Sequence, residues 1–466
     1  MSEPRGIIAA AGYVPYRRLQ RAEIAKLFGS GGGRGTRAFA TYDEDTTTMG
    51  VEAARLCLRS TDATPDALLF STADPAYLEK TNATTIHAAL RLDADLAAFD
   101  FGGAVRSGIG ALAYGLHAGH RALVVSSDKR GGLPTSVDEA ASGDAAAAIL
   151  VGSGPGVIAE IIGGATRTDE FIDRWRTPGD ARPRQWEERF GEVQYLALAG
   201  EAWRAALKSA EIEADAVTVT IVTGPHGRAT KAVAGKLGVQ KVADDLTGTV
   251  GQTGAAHAGL LLANELEQAE PGQVIAVVQL ADAVDVMLFR TTPAIANYRP
   301  ARSVATQIEH TADLPYAKFL SWRDQVRIEP PRRPEPNRIS ASISARTEDY
   351  KYGFVGSHDR STGAAHLPPQ RVSRDNDTID DMEPLPMSDV EGTISTFTID
   401  RIAYSPSPPI TFAVVDFDNG ARLPVELCDL DASALQMGDR VEMTFRRLFT
   451  ADGIHNYFWK ARPLRG

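Results

Sequence analysis

The chain has 466 residues, of which 43% are hydrophobic and 23% charged, a composition typical of a globular protein with two or three domains. Asp and Glu number 60 against 49 for Lys and Arg, and the net charge of -11 disfavours a nucleic-acid partner. The two cysteines, Cys57 and Cys428, exclude a disulfide framework and a four-cysteine metal site. No apolar run approaches the roughly 20 residues of a membrane span, so we expect a cytoplasmic protein with no membrane partner.

From residue 1 to about 293, apolar β-type runs alternate with Ala-rich helical stretches. The predicted strands are Gly6–Ala11, Ala67–Ser71, Ala122–Ser126, Ala145–Val151, Val217–Val222 and Val274–Gln279. The predicted helices are Met49–Arg59, Gly108–Ala118, Tyr195–Ala210 and Ala255–Gln268. Strands separated by helices indicate an α/β domain whose parallel or mixed sheet carries helices on its faces.

Residues 294–345 are rich in proline and carry little periodicity. Because proline fixes φ and removes a backbone donor, this stretch is predicted to be an extended linker with one short helix near Tyr316–Trp322.

Residues 346–466 form the third region, and after about Val390 its pattern is all-β. The predicted strands are Gly392–Ile399, Ile410–Phe417, Ala421–Leu427, Arg440–Phe449 and Tyr457–Arg462. Turn sequences such as Asp418-Asn419-Gly420 join them, and five short strands favour a small all-β barrel of the OB-fold type.

Four motifs in residues 1–293 resemble the ketoacyl-ACP synthase III and 3-hydroxy-3-methylglutaryl-CoA synthase branch of the thiolase superfamily. They are Asp43-Glu-Asp-Thr-Thr-Thr-Met49, Ala98-Phe-Asp100, Ser142-Gly-Asp-Ala-Ala-Ala147 and Gly251-Gln-Thr-Gly-Ala-Ala256. The resemblance implies a thiolase-like duplicated α-β-α-β-α layered fold. It also implies an acyl-CoA thioester as ligand, with coenzyme A as part of the substrate and no other cofactor. Assembly as a homodimer, or as a heteromer with another thiolase-fold subunit, is implied as well.

The third region is similar to the OB-fold domains, often with a zinc ribbon, that accompany thiolase-like acyl-CoA enzymes. Leu367-Pro-Pro-Gln370 and Phe458-Trp-Lys460 carry this similarity. The ribbon's four cysteine positions fall on Asp359, Thr362, Ser373 and Asn376. Thiolates give such sites their zinc affinity, so we expect no bound metal and a hydrogen-bonded turn instead.

In the resembling enzymes, a cysteine at a helix N-terminus attacks the acyl thioester. The resemblance places Val105 at that position, while Cys57 lies mid-helix in an apolar context. Acyl transfer through a cysteine thioester is therefore not expected. The family's His, Asn and Glu fall on Thr223, Gln252 and Ala73.

The remaining polar residues near these positions are the candidates for function. His226, in the loop Thr223-Gly-Pro-His-Gly-Arg228, is the candidate catalytic residue, and a loop-capping histidine is the alternative. Tyr77 and Asp285 are weaker catalytic candidates, as an oxygen donor and a base, against a subunit contact and a surface carboxylate. The candidate substrate-binding residues are Arg106, Thr223, Gln252 and His257, although a salt bridge suits Arg106 and the core suits His257.

Two functions are compatible with these substitutions. In the first, the chain acts on a CoA thioester without a covalent intermediate. It then resembles acyl-CoA retro-aldolases, carbon–carbon lyases that cleave a β-hydroxyacyl thioester with a general base and oxyanion donors. In the second, the thiolase-like half is a non-catalytic scaffold or partner subunit of a thiolase-containing complex. A polar pocket lined by His226 favours the first, and the loss of four family residues favours the second.

Overall fold

A computed structural model describes residues 3–465. They group into two compact units, which are considered separately. The first contains the residues up to Ala40 together with Glu52–Thr84 and Ala94–Leu320. The second contains Thr41–Val51, Thr85–Asp93 and the residues from Ser321 onward.

The strands and helices are as follows. The strands are β1 (Arg5–Tyr13), β2 (Arg17–Gln20), β3 (Thr36–Phe39), β4 (Ala67–Thr72), β5 (Ala97–Gly102), β6 (Ala122–Lys129), β7 (Asp144–Ser153), β8 (Ala159–Thr168), β9 (Arg174–Trp175), β10 (Arg184–Gln185), β11 (Val219–Thr223), β12 (Val274–Leu280), β13 (Ala283–Thr291), β14 (Ala312–Asp313), β15 (Val355–Asp359), β16 (Ala365–His366), β17 (Met382–Pro386), β18 (Gly392–Asp400), β19 (Ile410–Phe417), β20 (Arg422–Leu427), β21 (Arg440–Ala451) and β22 (Ile454–Pro463). The helices are α1 (Ala22–Phe28), α2 (Thr46–Leu58), α3 (Ala83–Leu90), α4 (Ser107–His117), α5 (Val137–Ala141), α6 (Glu188–Ser209), α7 (Gly227–Ala234), α8 (His257–Leu266), α9 (Val304–Glu309), α10 (Tyr316–Trp322), α11 (Ala341–Arg346) and α12 (Glu348–Lys351). Short 3₁₀ helices occupy Ala214–Ala216, Gly254–Ala256 and Pro293–Asn297.

The first unit is built on a mixed sheet in the order β11-β12-β13-β8-β1-β7-β6-β4-β5. β4 runs parallel to β5 and β6, and β11 runs parallel to β12, whereas β1 is antiparallel to β7 and β8. The central strands are nearly continuous apolar runs, as expected for strands covered on both faces. In β7, every residue except Ser153 is buried. The predicted mixed α/β sheet is therefore confirmed.

Helices cover both faces of the strands that carry the candidate residues. Val222 of β11 and Val278 of β12 pack in one core with Tyr195 and Trp203 of α6. Successive side chains of a strand point to opposite faces. Thr223 follows Val222 in β11 and Gln279 follows Val278 in β12, so both face away from α6. That second face is the one covered by α8, which contacts α4 as well as both strands.

The second unit contains a closed five-stranded barrel in the order β18-β19-β20-β22-β21. All five strands predicted for an OB-fold are present, with small shifts at their ends. A small sheet in the order β16-β15-β17 precedes the barrel along the chain. The ring of Phe354 stacks on Trp459 with the centroids 5.5 Å apart, which joins the segment before β15 to the barrel core.

The acidic motif Asp43-Glu44-Asp45 belongs to the second unit, although the sequence placed it in the N-terminal domain. There Asp43 pairs with Lys460, Glu44 pairs with Arg446, and Asp45 accepts a hydrogen bond from Tyr457. These partners lie some four hundred residues away along the chain, so local sequence patterns carry no trace of them.

The predicted linker over 294–345 is only partly correct. Residues 294–320 belong to the first unit, where β14 pairs in parallel with β2 and α9 packs on β1. The predicted short helix is present as α10. From Arg323 to Ser340 the chain forms neither helix nor strand.

Within residues 3–465, none of the helices combines the length and the apolar character that a membrane crossing requires.

Candidate functional site

The turn between β5 and α4 is the position that the resemblance assigns to a nucleophile. Val105 occupies it and is partly buried, and its carbonyl oxygen accepts a hydrogen bond of 3.4 Å from Nε2 of Gln279. The first turn of α4 packs tightly on the 3₁₀ helix Gly254–Ala256. A Cβ on Gly108 would lie 2.1 Å from the carbonyl oxygen of Ala255, so only glycine permits this approach. The loop that begins at Gln252 is thereby held against the start of α4.

Neither cysteine lies at this turn. Cys57 is in α2 and fully buried, and burial raises the pKa of its thiol to about 12. Cys428 is buried in the second unit, where burial also raises its pKa. A buried thiol with a raised pKa is a poor nucleophile because the reactive form is the thiolate.

Arg106 and Asp285 form an ion pair beside the turn. The guanidinium donates Nε to Oδ2 at 2.8 Å and Nη2 to Oδ1 at 3.1 Å, and the bond to Asp285 raises the pKa of Arg106. Thr166 donates a further bond of 2.7 Å to the same carboxylate. The salt bridge considered for Arg106 is present. Asp285, the weak candidate base, has both carboxylate oxygens engaged, so base chemistry there would first have to break this pair.

Two strand ends supply buried polar atoms to the turn. Thr223 ends β11 and is paired in register with Gln279 of β12, and both residues are at least 97% buried. Both face away from α6, by the alternation set out above. Among the described residues, neither Oγ1 of Thr223 nor Oε1 of Gln279 has a hydrogen-bond partner. Gln279 was missed in the sequence, although a polar residue near the carboxyl end of an apolar parallel strand was a usable signal.

Gln252 contributes a third polar group. Its Oε1 accepts a bond of 2.7 Å from the backbone N–H of Gly254, which fixes the amide so that Nε2 points elsewhere. Nε2 is buried and has no partner within residues 3–465. Val105, Arg106, Thr223, Gln252 and Gln279 are called the α4 site below.

Asp128 organises the backbone around the α4 site. Its carboxylate accepts bonds from the N–H of Ala73 at 2.7 Å and from the N–H of Ala255 at 2.8 Å. Burial raises the pKa of this carboxyl, and Arg130 lies 3.9 Å from it. Ala73 is the position assigned to the family's Glu, so Asp128 fixes the end of β4 without replacing that carboxylate.

His226 is part of a helix cap on the other side of the sheet. Its Nδ1 accepts a bond of 3.1 Å from the N–H of Ala229, which makes it the N-cap of α7. The opposite ring nitrogen lies 2.9 Å from the carbonyl oxygen of Glu188. The ring is 99% buried and contacts Tyr195 of α6, on the face opposite Thr223. The loop-capping alternative is therefore present, and both ring nitrogens of His226 are engaged by backbone groups.

A buried carboxylate that the sequence did not indicate lies next to this cap. Oδ1 of Asp173 is 3.9 Å from Nε2 of His226, and both side chains are buried. Burial raises the pKa of Asp173, and the neighbouring His226 and Arg174 oppose that shift. A Cβ on Gly191 would lie 2.5 Å from the same oxygen, so α6 approaches the pair closely.

The two other candidates are also held by local structure. His257 is buried at the start of α8, where Nδ1 accepts a bond from the N–H of Thr253, and burial lowers its pKa to about 4. Tyr77 is partly buried in a loop that Asn82 closes by donating to Tyr77 O and Asp100. The core position considered for His257 is thus observed.

A small cavity lies behind the α4 site, between α4, β6, β7 and α8. It has a volume of about 10 Å³ and an apolar lining that includes Ile109, Leu112 and Ile149. That volume holds at most one water molecule, so the interior behind the turn is filled with side chains.

In the second unit, the region similar to a zinc ribbon is joined by hydrogen bonds. Asp359 is fully buried and accepts bonds from the N–H and the hydroxyl of Ser361, both at 2.7 Å. Hydrogen bonds from Ser373 and Ser361 lower the pKa of Asp359. Asn376 donates to Ser361, so the turn that contains Ser373 and Asn376 is bonded to the turn that contains Asp359 and Thr362. Within residues 3–465, no group of three or more His, Cys, Asp or Glu side chains is placed to hold a metal ion.

The sequence profile of the C-terminal OB-fold domain of ChsH2 matches residues 386–446. Two archaeal proteins match about 70% of the chain. The chain is 25% identical over 348 residues to a hydroxymethylglutaryl-CoA synthase of Methanopyrus kandleri, which covers 70% of this chain and 99% of that protein. It is 28% identical over 343 residues to the hydroxymethylglutaryl-CoA synthase of Aeropyrum pernix, covering 69% and 94%.

Solved structures share the fold of the first unit. The structure of MvaS in complex with 3-hydroxy-3-methylglutaryl coenzyme A superposes with a TM-score of 0.59 at 19% identity, over 69% of this chain and 92% of that one. The 3-oxoacyl-[acyl-carrier-protein] synthase III of Aquifex aeolicus superposes with a TM-score of 0.53 at 21% identity, over 61% and 99%. The predicted thiolase-like layered fold and OB-fold are thus confirmed.

Proposed function

Because the chain joins a thiolase-like domain of the hydroxymethylglutaryl-CoA synthase and ketoacyl synthase III type to a ChsH2-type OB-fold domain, we propose that it binds an acyl-CoA thioester without forming a cysteine thioester. The two archaeal hydroxymethylglutaryl-CoA synthases described above align with 70% and 69% of the chain, which supports a CoA thioester as the ligand. The proposed binding place is the α4 site.

The observation that carries the proposal is the set of buried polar atoms around Val105. The turn offers no thiol, yet Thr223, Gln252 and Gln279 each present a buried N or O atom without a partner among the described residues. Unpaired buried polar atoms are unfavourable in a folded protein and mark places where a ligand or ordered water completes the hydrogen bonds. If the site had only lost its activity, apolar side chains would have filled it more simply than these polar ones.

The reaction that fits such a site is a retro-aldol cleavage. A base takes the proton of a β-hydroxyl, the Cα–Cβ bond breaks to release an aldehyde or ketone, and the electron pair becomes an enolate on the shortened thioester. Protonation of the enolate at Cα completes the shortened acyl-CoA. A buried amide donor such as Nε2 of Gln252 suits the enolate oxygen, and no step requires a thiol.

A non-catalytic scaffold is the second candidate. Three observations favour it. His226 is occupied as a helix cap, and the cavity behind α4 holds at most one water molecule. In addition, β5 at the end of the sheet exposes the side chain of Phe99. In this role the chain would bind another thiolase-fold subunit and stabilise it.

Calorimetric titration of the full chain with butyryl-CoA and free CoA, followed by intact-mass measurement, tests the proposal. We expect micromolar binding of the thioester and no acyl adduct on the protein. Gln252→Leu should weaken binding at least tenfold, whereas Gln240→Leu, on an exposed surface residue, should not. Failure to bind any thioester, with a thiolase partner that is destabilised when this chain is omitted, would establish the scaffold instead.

Turnover is tested separately with a panel of β-hydroxyacyl-CoA thioesters. Release of an aldehyde or ketone together with a shortened acyl-CoA supports the lyase. Binding of these thioesters with no cleavage at any pH between 6 and 9 would contradict it.

A further inference from the structure

The amide of Gln279 is fixed in one orientation. Its nitrogen donates to the carbonyl oxygen of Val105, and the exchanged orientation would set two acceptors against each other. The amide oxygen is therefore held as an acceptor, 98% buried with the rest of the side chain, and has no donor among residues 3–465.

Thr223 lies directly beside it. The two residues are register partners on parallel strands, so their Cα atoms are separated by about 4.8 Å and their side chains share a face. The hydroxyl of Thr223 is unpaired within the described chain and is not bonded to Gln279. The pair therefore presents one obligatory acceptor next to one group that can both donate and accept.

This pair requires a donor from its ligand. A thioester offers only acceptors, its carbonyl oxygen and its sulfur, and a saturated acyl chain offers nothing. A hydroxyl on the acyl chain can donate to Gln279 and accept from Thr223 at the same time. The amide N–H groups of pantetheine are also donors, but they lie several bonds from the thioester. The proposed binding site includes Val105, and Gly102 and Gly103, which lie just before it in the chain, are exposed.

We infer that Gln279, together with Thr223, is the specificity-determining pair that selects CoA thioesters with a hydroxyl on the acyl chain. This inference rests on the proposed binding of an acyl-CoA at the α4 site. A site built to hydrogen-bond a hydroxyl rejects the analogue that lacks it, because its own polar groups are then left unpaired.

The test compares butyryl-CoA with 2-, 3- and 4-hydroxybutyryl-CoA by titration calorimetry of the full chain. We expect at least one hydroxybutyryl-CoA to bind about tenfold or more tightly than butyryl-CoA. Gln279→Met should remove that preference by lowering the affinity for the hydroxybutyryl-CoA that the wild type favours. Gln240→Met, a matched exposed change, should leave both unchanged.

The outcomes separate the two proposals. If the wild type binds all four thioesters within threefold, the pair does not select for an acyl hydroxyl; the inference then fails and the proposed function stands. If none of them binds, the proposed function fails as well. Should Gln279→Met not fold, judged by thermal unfolding, the near-isosteric Thr223→Val replaces it. A hydroxyl preference that survives both substitutions would also overturn the inference.

Discussion

The ammonium nitrogen of Lys460 lies 2.8 Å from Oδ2 of Asp43, and both side chains are at least 99% buried in the second unit. Burial alone would raise the pKa of Asp43, but the charges of Lys460 and Arg446 outweigh it and lower the pKa to about 2. Lys460 also pairs with Glu426, so one ammonium bridges two carboxylates. Such a network is stable only while every member keeps its partner.

We therefore expect Lys460→Met to lower the free energy of unfolding by about 3–5 kcal/mol, because it leaves Asp43 as a buried charge that has lost its ammonium partner. Urea denaturation of the full chain measures the change. Arg371→Gln is the matched control, since it breaks an exposed pair with Asp380 and should leave the urea midpoint nearly unchanged. Equal effects of the two substitutions on the urea midpoint would show that the buried pair contributes no more to stability than the exposed pair.

The second prediction concerns His226. If it is the helix cap that the geometry indicates, His226→Asn keeps an acceptor for the N–H of Ala229, whereas His226→Ala lowers stability by about 0.5–2 kcal/mol. Hydrogen exchange at Ala229 should rise in the Ala variant and stay low in the Asn variant.

The same two variants separate capping from catalysis. A histidine acting as general acid or base would lose roughly 100-fold in kcat in both variants. Loss of turnover in His226→Asn with α7 intact would return His226 to a catalytic role.

The alternation of apolar runs was sufficient to predict the core strands and helices of the first unit and all five barrel strands, because burial on known faces sets these patterns. The placement of Asp43 was wrong for the opposite reason: its partner Lys460 is remote in sequence. The cap at His226 could be considered only as an alternative, because histidine is not among the residues favoured at an N-cap. Asp173 acquires its importance only from burial and from neighbours on other elements, whereas the position of Gln279 near the end of an apolar strand was a signal that the prediction did not use.

The third prediction is that the ribbon-like region folds without zinc. Asp359 accepts hydrogen bonds from Ser361 and Ser373, so Asp359→Ala should lower the melting temperature by removing these bonds. A chelator should change neither the melting temperature nor the far-ultraviolet spectrum. Elemental analysis of protein purified without added metal is the direct check, and one zinc per chain would refute the prediction.

The fourth prediction follows from Glu267, whose carboxylate accepts from the N–H of Val304 at the start of α9. Burial raises its pKa to about 7. An acid whose pKa is raised in the fold binds its proton more tightly there than when unfolded, so stability declines as pH rises from about 4.5 to 7. Glu267→Gln keeps an acceptor but has no charge to bury. It should stabilise by about 1–3 kcal/mol at pH 8 and by little near pH 4.

Urea midpoints at the two pH values measure this difference. Glu265→Gln on the same helix is a useful comparison, because burial raises the pKa of Glu265 too, while Lys241 opposes that shift. A gain for Glu267→Gln that is the same at pH 4 and pH 8 would contradict the titration.

The last prediction is that the first unit assembles through β5. This strand ends the sheet, pairs with β4 alone within the described chain, and exposes 57% of Phe99. Tyr114 of α4 is 56% exposed, and its ring contacts that of Phe101. An edge strand with exposed aromatic side chains is a site for pairing with another chain, and a second copy of this edge completes it by two-fold symmetry.

We expect a dimer near twice 49.9 kDa by light scattering at micromolar concentration. Phe99→Lys should shift it to monomer without lowering the unfolding midpoint of the monomer. Leu27→Lys, also on an exposed apolar residue but on α1, should leave the dimer intact. A wild-type monomer that becomes a dimer only with an added thiolase-fold subunit would favour the heteromer, and a monomer under both conditions would refute assembly through this edge.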